Sequence, residues 1–317
     1  MQIDKINEII FKLIKLIFFS RIYSNIKQKL PLIPKGILAI ILMIVSGFCF
    51  VVMHSAVKYL SQEIHPFEIA FFRNVFVALV LAPIIVNNGY TIFITKQPKI
   101  HIYRIIFNSV ALICFFYGLS ITTLAEATAL GFTVPIFATI LSILFLKEVI
   151  RIRRLTALIL GFIGTLIVIR PDISIEIGSF LIIFSAFLWS ICLIFIKQLT
   201  KTDNAITISL YAGIGLIPAT LFVAIPVWTN PTFEQIVILF FISFAGTLAQ
   251  TLMNSALARG EVAMLLPFDF LRLIWSALLG YTLFFETPEI TLWLGGILIL
   301  GSTSYIAWRE MRLKNIT

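Results

Sequence analysis

The chain has 317 residues, of which 60% are hydrophobic and 12% charged, with a mean hydropathy of +1.06 and a net charge of +9. Soluble domains carry about 25% charged residues, so an ordinary water-soluble enzyme is excluded. Ten membrane spans of about 20 residues would consume roughly 200 residues, leaving no room for a separate catalytic or nucleotide-binding domain.

Residues 1–35 come first and stand apart. Ile3, Ile6, Ile10, Leu13, Ile14 and Ile17 share one helical face, with Asp4, Lys5, Glu8, Lys12 and Lys15 opposite. This reads either as an amphipathic helix on the anionic cytoplasmic leaflet or as a basic tail that only sets orientation. Lysines interrupt its apolar runs, so it holds no signal-peptide core.

Apolar stretches then follow at 36–58, 66–86, 102–121, 125–146, 155–169, 177–199, 206–227, 233–257, 262–285 and 290–308. Their lengths suit helices crossing about 30 Å of hydrocarbon, whereas a barrel would show alternating segments of about ten residues. Asn87-Asn88-Gly89, Arg170-Pro171-Asp172 and Thr229-Asn230-Pro231 supply turns between spans. Cys49, Cys114 and Cys192 lie inside apolar runs and read as small buried hydrophobes without a disulfide framework.

Charge tests the count. With the N-terminus inside and every second loop cytoplasmic, 20 of the 24 basic residues fall inside, Arg104 and Lys197 among them. Lys58 and Arg170 fall outside, and Arg73 and Arg272 lie within spans. That is the positive-inside bias, and it places both termini in the cytoplasm.

The halves also echo one another. Phe50…Lys58 corresponds to Trp189…Lys197, Glu148 to Glu286 and Arg170 to Arg309, at an offset near 139 residues. Five spans per half is an odd number, so the second copy is expected upside down relative to the first. Inverted repeats of this kind hold substrates near the bilayer midplane.

Polar residues inside spans are costly and mark candidate sites. Asp269 and Arg272 stand at i and i+3 in the ninth span, about 10–15 Å from its cytoplasmic end. They read as cavity lining or as a purely structural ion pair. Arg73 either snorkels to the outer interface or pairs with a bundle or substrate anion. Ser243, Thr247, Gln250 and Asn254 form one hydrogen-bonding face, of which Gln250 and Asn254 are assigned to the cavity against a reading as packing glue. His54, Asn108 and Trp189 sit where they could face the same space. Each can equally be helix packing, as can Phe115, Phe116 and Tyr117. Pro135 and Pro267 interrupt spans four and nine, and prolines in corresponding spans point to the binding region.

Span two reads His65-Pro66-Phe67-Glu68-Ile69-Ala70-Phe71-Phe72-Arg73-Asn74. Spans four and five run from Ala125-Glu126-Ala127-Thr128-Ala129-Leu130 through Pro135-Ile136-Phe137 and Leu146-Lys147-Glu148 to Gly161-Phe162-Ile163-Gly164 and Ile169-Arg170-Pro171. These segments resemble the EamA-domain branch of the drug/metabolite transporter superfamily over about residues 36–310. The later Pro267-Phe268-Asp269-Phe270-Leu271-Arg272 and Trp293-Leu294-Gly295-Gly296 are similar to a bacterial subgroup. The resemblance implies an all-α integral membrane fold of ten transmembrane helices in two inverted five-helix repeats. It also implies cargo drawn from amino acids, vitamins such as riboflavin, nucleosides or S-adenosylmethionine-like compounds.

No Walker-type glycine loop occurs, so ATP is not expected to drive the chain directly. His54, His65 and His101 are too scattered for a local metal site, and no acid, base and nucleophile converge. No metal, cofactor or nucleic-acid partner is expected, since the basic charge is accounted for by topology. The expected organisation is a cytoplasmic segment 1–35, repeats 36–171 and 172–310, and a cytoplasmic tail 311–317. The expected activity is secondary transport of a small organic metabolite across the bacterial inner membrane by alternating access, with bilayer lipid as surroundings. A monomer is compatible with this, and the sequence sets no oligomeric state. The alternative from another class is a non-transporting membrane enzyme or sensor.

Overall fold

The computed structural model describes residues 35–131, 133–146, 152–169, 177–269 and 271–285, with Leu294, Ile297, Leu298 and Gly301 beyond them. The expectations for the N-terminal segment, most of the last span and the tail lie outside these residues. Among the described residues there is no strand. The helices are α1 (Lys35–Leu60), α2 (Pro66–Asn88), α3 (Pro98–Ser120), α4 (Leu124–Gly131), α5 (Thr133–Leu146), α6 (Ile152–Ile169), α7 (Ile177–Leu199), α8 (Ala205–Ala224), α9 (Phe233–Leu257), α10 (Val262–Asp269) and α11 (Arg272–Phe284). Short 3-10 turns at Gly89–Phe93 and Ile225–Val227 follow α2 and α8.

Six of these helices, α1, α2, α3, α7, α8 and α9, are long and apolar enough to cross a membrane. Their flanks carry side chains that rim the exposed surface with hydrocarbon, such as Leu79, Ile106, Phe180 and Phe222. In water such a surface would drive association; in lipid it costs nothing.

Local chemistry sets the ends. Pro66 and Pro98 open α2 and α3, where a missing N–H is harmless. His65 caps α2 through Nδ1, and Asn204 caps α8 by accepting from the Thr207 N–H at 2.8 Å. Thr232 and Gln235 form a reciprocal capping box on α9.

Arg104, counted among the inside charges, lies within the third apolar run and in the second turn of α3. It is not a cytoplasmic loop charge but a residue of α3, 1% exposed, with Nη1 donating to the Ile208 carbonyl at 2.7 Å. The guanidinium is held inside the bundle by capping a backbone oxygen of α8.

The main packing pairs are α1 with α9, α3 with α7 and α2 with α8. The pieces α4, α5, α10 and α11 lie against α1 and α7. Serines knit the long helices together: Ser46 Oγ donates to the Ala249 carbonyl and Ser243 Oγ to the Arg73 carbonyl, each at 2.7 Å. With no hydrophobic drive between helices in lipid, such bonds and close packing do the work.

Candidate functional site

Helices α1, α2, α3, α7 and α9, together with the α4–α5 and α10–α11 junctions, line a cavity of about 110 Å³. Asp269 closes α10 and Arg272 opens α11, so the ion pair sits at a helix junction. Bonds of the tighter i to i−3 type cross it, from the Leu271 N–H to the Phe268 carbonyl and from the Ile274 N–H to the Leu271 carbonyl. Pro267, with no N–H, lies just upstream in α10, and Pro135 lies in the first turn of α5.

Arg272 Nη1 donates to Asp269 Oδ2 at 3.0 Å, and its guanidinium lies 5.3 Å from the Phe50 ring centroid. Gly47 lets α1 come this close: a Cβ there would sit 2.8 Å from Arg272 Cγ. Above this pair, the His54 ring lies 4.7 Å from Phe115, and Trp189 lines the α7 side. Asn108 comes from α3 and Gln250 from α9.

Arg73, on α2, also lines the cavity and is 9% exposed. Nη1 donates to Asn74 Oδ1 at 3.0 Å, while Nε is buried without a partner. Among the described residues no carboxylate pairs with it.

The structure therefore brings His54, Asn108, Trp189, Gln250, Asp269, Arg272 and Arg73 to the lining of one cavity. Asn254 is not on it. Its Nδ2 donates to Ser209 Oγ at 3.0 Å and to the Ala205 carbonyl at 3.2 Å, and its Oδ1 accepts from Gln250. The polar stripe of α9 is turned toward α2 and α8, and the longer Gln250 side chain is the part of it that reaches the open space. Phe50 and the thioethers of Met43, Met53 and Met253 also line the cavity. They were missed as site residues, although Met43, Gly47, Phe50 and His54 recur at helical spacing along one face of α1.

The model of the EamA-like transporter family matches residues 37–170 and again 176–308. The chain belongs to the EamA-like transporter family. An S-adenosylmethionine uptake transporter of Rickettsia bellii is 30% identical over 258 residues, covering 80% of this chain and 88% of that protein. A riboflavin transporter of Brucella anthropi is 31% identical over 245 residues, covering 75% and 86%. A crystal structure with a TM-score of 0.72 and 14% identity covers 88% of this chain and 98% of its own, so the fold is shared. The protein is a small-metabolite transporter of the membrane, and its relatives are transporters rather than enzymes.

Proposed function

We propose that this EamA-family member is a secondary active transporter that carries a small organic metabolite across the bacterial inner membrane by alternating access. In this reading its spans number ten, arranged as two inverted five-helix repeats over about 36–171 and 172–310, with both termini in the cytoplasm. The observation that carries the reading is the cavity, which joins residues of both halves at the α10–α11 junction and mixes buried charge with aromatic walls. The packing pattern supports inverted repeats, since α1 of the first half on α9 of the second has its counterpart in α7 of the second half on α3 of the first. S-adenosylmethionine and riboflavin, the cargoes named for relatives, are the first compounds to test. The cavity residues His54, Asn108, Trp189, Gln250, Asp269 and Arg272 are assigned to contact cargo, whereas Asn254 holds Gln250 in place.

Alternating access has a direct test. In a background with Cys49, Cys114 and Cys192 replaced by Ser, Ala111→Cys on the cavity wall is exposed to a membrane-impermeant thiol reagent. Labelling from both membrane faces, with protection by a carried compound, is expected. Labelling from one face alone under every gradient imposed would sink the mechanism.

A further inference from the structure

Among the described residues, the charge lining the cavity is unbalanced. The described lining holds two guanidinium groups, Arg73 and Arg272, against one carboxylate, Asp269. Arg272 and Asp269 satisfy each other at 3.0 Å, and Arg272 gains Phe50 as well. Arg73 has a neutral amide as its hydrogen-bond partner and a buried Nε with none. A guanidinium offers five N–H donors in a planar fork, and an intramembrane charge without a counter-ion is costly.

The protein has nevertheless made room for it. A Cβ on Gly246 of α9 would sit 3.2 Å from Arg73 Nε, 3.4 Å from Nη2 and 2.5 Å from Met53 Sδ. The Arg73 backbone is pinned by Ser243, and Asn74 Nδ2 reaches Thr220 of α8 at 3.5 Å. A side chain merely reaching for the interface would need none of this.

We propose that Arg73 binds a singly charged anionic group, a carboxylate, on the transported metabolite. One uncompensated positive charge matches one negative charge, and carboxylate fits the guanidinium fork with two parallel hydrogen bonds. The rest of such a cargo lies against Phe115 and Trp189, so it has an apolar or planar body. This assignment rests on the transporter reading and names its substrate class.

The test uses the full-length protein in sealed liposomes offered a bacterial small-molecule extract supplemented with S-adenosylmethionine, its decarboxylated counterpart and riboflavin. Vesicle contents are read by mass spectrometry. The wild type accumulates carboxylate-bearing compounds, and the decarboxylated or amidated form of each enters at least about ten-fold less, a difference of about 1.4 kcal/mol. Arg73→Gln erases that preference, and Arg73→Lys, which keeps charge but loses the fork, falls between. Should Arg73→Gln fail to elute as a folded species, the wild-type comparison of acid with amide decides alone. Equal entry of acid and amide, or accumulation of neutral riboflavin unchanged in Arg73→Gln, overturns the assignment and leaves the transporter standing. Loss of uptake when methanesulfonate replaces chloride, with no acid preference, assigns Arg73 to an inorganic anion instead and also overturns it. Accumulation of nothing above protein-free vesicles defeats the transporter reading itself.

Discussion

Lys58 and Lys197 end their helices in matching ways. Lys58 Nζ, in the last turn of α1, donates to the Thr122 carbonyl at 2.8 Å. Lys197 Nζ, in the last turn of α7, donates to the carbonyls of Leu257 and Gly260 at 2.7 and 2.6 Å. The two lysines are 139 residues apart, the same spacing as the starts of the two family matches at 37 and 176. Each ammonium ties the end of the first helix of its half to the chain entering α4 or α10.

Substituting either lysine therefore leaves carbonyl oxygens without a donor. Lys58→Met and Lys197→Met should each lower stability by about 1–3 kcal/mol, the cost of an unsatisfied polar group. The sites are remote from each other, so the losses should add. Melting of the single and double variants in detergent checks this, and no change in either single variant would contradict it.

At the α10–α11 junction, breaking the ion pair should cost more than removing it. Asp269→Asn and Arg272→Gln each strand a partly buried charge, a loss of about 3 kcal/mol. The double variant should melt above either single one. Gly47→Ala acts on the same pair from outside by pressing a methyl against Arg272, so it should lower uptake while the protein stays folded. A double variant less stable than both singles would refute the pairing.

Hydropathy made the long helices legible. The apolar runs 177–199 and 233–257 coincide with α7 and α9 because Lys197 and Thr232 mark their ends chemically as well as by polarity. The i, i+3 spacing likewise disclosed Asp269 with Arg272, since both partners are polar and local. What hydropathy lacks is azimuth. Depth along α9 was readable for Asn254, but its facing depended on Ser209 of α8, a contact that no local spacing encodes. The burial of Arg104 was hidden for the same reason: its carbonyl partner Ile208 is 104 residues away.

Outside the spans, pH acts through Asp203 in the turn between α7 and α8. Burial raises its pKa, but Thr95 Oγ1 donates to Oδ2 at 2.5 Å, His101 Nε2 lies 2.8 Å from the same oxygen and Thr202 Oγ1 donates to Oδ1 at 2.9 Å. These bonds prevail and hold the carboxyl below its ordinary 3.8. A depressed carboxyl contributes stability above its unfolded pKa and loses it as pH falls through the folded value. Asp203→Asn should thus melt lower than wild type at neutral pH, with the gap narrowing below about pH 4. A constant gap across that range would contradict the assignment.

Topology offers a further check. A reporter fused after Thr317 should be active on the cytoplasmic side, because the basic loops fix both termini together. Activity on the opposite side would contradict an even number of spans.

The central claim is transport, and counterflow in proteoliposomes measures it most directly. Vesicles preloaded with unlabelled S-adenosylmethionine or riboflavin should transiently accumulate the labelled compound above its external concentration, in sealed vesicles and not in detergent-permeabilised ones. Labelled compound that associates equally with sealed and permeabilised vesicles, with no overshoot for either cargo or for the extract-derived candidates, would contradict the account.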